Sequence, residues 1–107
     1  MNIDVSKGFD LGCFHYIVED DEGTQKNLEE RSRYGECSCT RCIIRVSTKH
    51  NPDHYHNTFL HEMVEAVDEV YGNGKMKHDE ITNIANGMSQ ALKSMGIMFG
   101  GNDDKDN

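Results

Sequence analysis

A chain of 107 residues and 12.1 kDa has material for one domain and not for two. Its 19 Asp and Glu against 11 Lys and Arg leave a net charge of −8, a surface that repels phosphate backbones and speaks against nucleic-acid binding. No apolar run nears the ~20 residues of a membrane span, and no basic segment followed by an apolar one opens the chain, so an acidic, soluble, cytoplasmic protein is expected.

Residues 3–5 read as a weak strand, and residues 13–18 (C-F-H-Y-I-V) and 42–47 (C-I-I-R-V-S) as better ones, on their β-branched and aromatic content. Between them, residues 19–33 are acidic and contain glycine, which fits a long loop or a short helix. Residues 34–37 are expected to begin a strand that forms a hairpin with 42–47, turning near 38–41. Over 53–71, Phe59, Leu60, Met63, Val64, Val67, Val70 and Tyr71 recur at spacings of three and four, the mark of an amphipathic helix. Pro52 and a capping Asp53 start it, and Gly72-Asn73-Gly74 stops it. Ile81, Ile84, Ala85, Met88, Ala91, Leu92 and Met95 repeat the period over 77–95. So short a connection makes the two helices antiparallel neighbours, with Met63, Met88 and Met95 in the core. Strands first and helices after predict an α+β domain over 1–96, about three strands carrying a helix hairpin, followed by a flexible acidic tail over 97–107.

The chemistry lies in T-F-L-H-E-M-V-E-A-V-D. His61 and Glu65 stand at i and i+4, so both side chains leave one face of the helix a turn apart, as two ligands to one zinc do in H-E-x-x-H enzymes. Here a glutamate holds the second position. Two histidines and one glutamate are a complete catalytic zinc set, and His78, at the start of the second helix, is the candidate for the missing histidine. Glu62 would then face the open position as general base, taking a proton from the attacking water and passing it to the leaving amine. Asp68 is a candidate to orient a ligand imidazole. The plain alternative is a solvated charged helix face. His50, His54 and His56 read as surface histidines. One of them, or Tyr34, Tyr55 or Tyr71, is the alternative source of an oxyanion donor, and the sequence does not choose. Cys37-x-Cys39-x-x-Cys42 with Cys13 fits either small buried thiols on adjacent strands or a structural zinc site of four thiolates.

The helix T-F-L-H-E-M-V-E-A-V-D, a tight turn, and K-M-K-H-D-E-I-T-N-I-A-N-G-M-S-Q-A-L together resemble the minimal zincin-type metallopeptidase domains of the gluzincin and ImmA/IrrE-like grouping, common in phages and prophages. The resemblance covers residues 43–92 well and the N-terminal half in outline. It implies zinc held by His61, Glu65 and His78, Glu62 as catalytic base, and a strand at 42–47 lining a cleft that takes an extended peptide. The departure is Glu65 where the commoner pattern has histidine. Three functions follow from these residues: a zinc metallopeptidase acting on a peptide or protein, an inactive relative that binds a host protein with zinc as a clamp, or a metal-free helix hairpin. Oligomeric state is not written in the sequence.

Overall fold

The computed structural model describes residues 1–101. Its elements are β1 (Asn2–Asp4), β2 (Phe9–Leu11), β3 (Phe14–Glu19), α1 (Glu22–Glu30), β4 (Gly35–Ser38), β5 (Ile43–Val46), α2 (Pro52–Tyr71), α3 (His78–Ser94) and β6 (Met98–Gly100). The class is α+β, small sheets followed by a packed helix pair. There are more strands than the three expected.

The main sheet has the order β2-β3-β5-β4, with β3 and β5 parallel and the two outer pairs antiparallel. The β4–β5 hairpin is the one read from the sequence. β5 is central, and Ile43, Ile44 and Val46 are buried. Only Arg45 breaks that run. It is registered opposite Glu19 of β3 and Glu36 of β4, and it bonds both carboxylates at 3.0 and 2.7 Å. Arg31 adds two bonds to Glu36, and it is chiefly this guanidinium that holds the Glu36 carboxyl down at about 2. Opposite charges placed directly across strands fix the register that the apolar face requires.

One open choice is decided here and one expectation shifts. Of the two readings of the 19–33 stretch the short helix holds, as α1 over Glu22–Glu30, opened by the Asp21 side chain accepting from the Thr24 N–H at 2.8 Å. Within the stretch expected as a tail, Met98–Gly100 pair in parallel with β1 in a second sheet. The remainder of that tail, residues 102–107, lies outside the described residues.

α2 starts one residue earlier than expected. Asn51 is its cap, accepting from the His54 N–H at 2.9 Å, and Pro52 takes the first helical position, where its missing N–H costs nothing. Phe59, Leu60, Tyr55 and Ala66 of this helix meet Tyr16, Val18, Ile44 and Val46 of the sheet in the core. α3 packs on α2 through Val64, Ile81 and Ala85. Contacts pair His61 with His78 and His56 with Ser89, so the helices run antiparallel as expected.

α3 is an outer layer, and α2 covers only part of its apolar stripe. Met88 and Met95, expected in the core, are therefore exposed, as are Ile84, Val67 and Tyr71. His56, expected at the surface, is 1% exposed. Its Nδ1 accepts from the Phe99 N–H at 3.0 Å and its Nε2–H donates to the Ser89 carbonyl at 3.0 Å, so one neutral ring ties α2 to β6 and α3. Among the described residues no helix is long and apolar enough to cross a membrane.

Candidate metal centre

The third and fourth turns of α2 carry the site. His61, Glu62 and Glu65 place one ligand atom each within 4.8 Å of one another, a group able to hold a metal ion. The helix does this by itself, since i and i+4 stack along one face and i+1 lies beside them. No other such group of three His, Cys, Asp or Glu occurs among the described residues. His78, brought in by the antiparallel α3, has its ring centroid 5.2 Å from that of His61. It stands next to the compact group without being part of it. All four expected residues thus meet in one neighbourhood, and the tightest set includes Glu62 in place of His78.

The electrostatics are those of a site short of positive charge. Glu62 is 7% exposed, and burial, followed by the charge and hydrogen bond of Glu65, pushes its carboxyl up to about 8. Arg33 opposes that shift from across the cleft. His61 is held below its ordinary value by burial and by His78, which keeps the imidazole neutral, the form that ligates. A divalent cation would satisfy both carboxyls at once and needs neutral imidazoles. The donor set, two carboxylates and two histidines, fits zinc.

The group opens onto a cleft of about 600 Å³ whose walls include Arg33, Tyr34, Gly35, His54, Thr58, His61 and Glu62. Gly35 sets how closely the edge strand β4 approaches the helix. A Cβ there would stand 2.6 Å from Thr58 Cγ2, 3.0 Å from the Arg45 carbonyl oxygen and 3.4 Å from Glu62 Cγ. Gly35→Ala is expected to cost about 1–3 kcal/mol by overpacking and to push β4 off the helix beside Glu62. Urea unfolding checks this, and an unchanged midpoint would show that the contact is loose.

Several expected roles fall elsewhere. Asp68 lies two turns, about 10 Å, along the axis from His61, and serves the inter-helix turn instead. Its Oδ2 accepts from the Met76 N–H at 3.2 Å, while Oδ1 is buried without a hydrogen-bond partner. Tyr55 is committed to Asp20 by a 3.0 Å hydrogen bond, and Tyr71 is exposed. Of the oxyanion candidates, Tyr34 and His54 line the cleft, with ring centroids 4.9 Å apart, and His50 packs against both. β5 has neighbours on both sides and no free edge for a peptide. The edge strand at the cleft is β4. Arg33 is the cleft residue that sequence reasoning missed, since nothing in its neighbourhood marks it.

Compared with known proteins, the chain matches no family model, no curated protein and no solved structure.

Proposed function

We propose that the protein is a zinc-dependent hydrolase of peptide bonds, with His61, Glu65 and His78 as the metal ligands and Glu62 as the general base. The observation that carries this reading is the grouping of His61, Glu62 and Glu65, with His78 beside His61, where His61 and Glu62 form part of the wall of an open cleft. Zinc bound there would supply Lewis acidity, polarising a carbonyl and making water easier to deprotonate. The other tasks belong to the chain. Glu62, buried and one residue from His61, takes the proton of the attacking water and returns it to the leaving amine. Tyr34 and His54 face the cleft as donors to the carbonyl oxygen, and β4 offers a free edge to an extended peptide.

The test is hydrolysis of an unfolded protein such as reduced, alkylated casein by zinc-loaded chain, read by mass spectrometry. Cleavage that stops with chelator and returns with zinc is expected. Stoichiometric zinc with no cleavage of any peptide would leave the second reading, a binding protein. That reading is favoured by one observation: His61 and His78 belong to different helices, so a shared ion would clamp α2 to α3. On it, His78→Ala lowers Tm sharply in the zinc form and leaves Tm of the metal-free form unchanged.

A further inference from the structure

Three of the four cysteines stand within six residues of one another at the β4–β5 hairpin, and the centre on α2 makes no use of them. Cys37 is registered opposite Ile44 near the end of β4, and Cys39 and Cys42 bracket the turn. The Sγ atoms of Cys37 and Cys39 are 3.5 Å apart. Two thiolates on one tetrahedral ion, each at ~2.3 Å, stand about 3.8 Å apart, so this pair already has nearly the spacing of a chelate. Cys42 takes φ 56°, a left-handed conformation unusual for a non-glycine residue, and this turns its Sγ back to 3.7 Å from the Cys39 carbonyl oxygen.

The three Sγ atoms do not yet form a compact group, because that of Cys42 is turned to the Cys39 carbonyl while those of Cys37 and Cys39 touch. Burial pushes the Tyr16 hydroxyl up, and the neighbouring Cys39, Cys37 and Cys42 thiols add to that in turn. The charged side chains facing the pair are carboxylates, Glu65 and Glu62 for Cys37 and Glu69 and Glu65 for Cys39. Burial and these acids push both thiols up, the opposite of what a peroxide-sensing or nucleophilic cysteine needs. What this surrounding favours is a cation.

We propose that the β4–β5 hairpin is a second metal site, at which Cys37, Cys39 and Cys42 bind one thiophilic closed-shell cation of the zinc, cadmium and copper(I) class. Binding exchanges three thiol protons for the ion, with no change of oxidation state. Cys42 completes the set by rotating its Sγ about one bond, away from the Cys39 carbonyl. Cys13 is exposed in the turn between β2 and β3 and takes no part, which reduces the four-thiolate arrangement read from the sequence to three.

The probe is cadmium, titrated into the reduced, metal-stripped full chain carrying His61→Ala and Glu65→Ala, so that the α2 centre contributes nothing. One cadmium per chain is expected, with the ultraviolet sulfur-to-cadmium charge-transfer band. Cys42→Ser should remove about a third of that band and weaken binding by about tenfold or more, while Cys13→Ser leaves both unchanged. In the unmutated chain, cadmium should protect Cys37, Cys39 and Cys42 from alkylation and leave Cys13 reactive. That readout needs no variant to fold. Absence of the band, a band indifferent to Cys42→Ser, or protection that includes Cys13 would each overturn the site.

Discussion

Glu62→Gln is expected to lower peptide turnover by about 10²–10⁴-fold while leaving zinc stoichiometry unchanged. Gln is isosteric and keeps hydrogen bonding, but it accepts no proton. The same substitution has a second signature in the metal-free protein. The Glu62 carboxyl is raised from 4.5 to about 8 on folding, so the folded state binds the proton more tightly than the unfolded one. The stability this contributes is full below 4.5 and is lost as pH rises to about 8. Metal-free wild type should therefore lose on the order of a few kcal/mol between mildly acidic and alkaline pH, and Glu62→Gln should be the more stable of the two at the alkaline end. Urea midpoints across that range read it. Zinc should reverse the order, since the cation stabilises the ionised carboxylates. Should Glu62→Gln lose zinc instead, Glu62 is a ligand, as its place in the compact group with His61 and Glu65 allows, and the assignment of the base fails.

The largest loss of stability is expected from Phe59→Ala, about 3–5 kcal/mol. Phe59 is 1% exposed and lies where the two sheets and α2 meet. Its ring meets Phe9 of β2 edge-on at 5.9 Å and Phe99 of β6 at 5.2 Å, and Phe9 in turn stacks on Tyr16 at 5.5 Å. Removing it opens a cavity that a short three-residue strand on either side cannot close. A domain of this size holds roughly 5–15 kcal/mol in all, so the variant should be close to unfolding at 37 °C and should lose metal with the fold. A change in unfolding free energy below about 1 kcal/mol would mean that the aromatic cluster is not the joint described.

What could be read beforehand was local. The stripe from Phe59 to Val70, with Pro52 before it and Gly72 after it, gave α2 within a residue, although its cap is Asn51 and not Asp53, and one helix suffices to bring His61, Glu62 and Glu65 together. The β4–β5 hairpin was visible for the same reason. α1 stayed undecided between loop and short helix because E-G-T-Q-K-N-L-E-E buries only Thr24 and Leu28, too little for a stripe. β6 escaped because its three residues gain their structure from β1, at the far end of the chain. His56 was misjudged because both of its partners are backbone groups more than thirty residues away. The helical period marked Ile84, Met88 and Met95 as apolar but was silent on how much of that face another element covers. They lie exposed, and with Val67 and Tyr71 two of them, Ile84 and Met88, line an open apolar groove of about 570 Å³ between the helices. His78 was reachable only through the antiparallel crossing of α3 on α2, which the short turn implied.

The most direct measurement of zinc at the α2 centre is zinc content by elemental analysis after reconstitution and desalting. It is made in the background of Cys37→Ser, Cys39→Ser and Cys42→Ser, so that the thiols take no share, on the chain with and without Glu65→Ala. Near one zinc per chain, falling to a small fraction in the Glu65 variant, is the expected result. No zinc in either, or equal zinc in both, would contradict the centre and leave α2 as a charged helix with a chance arrangement of ligands.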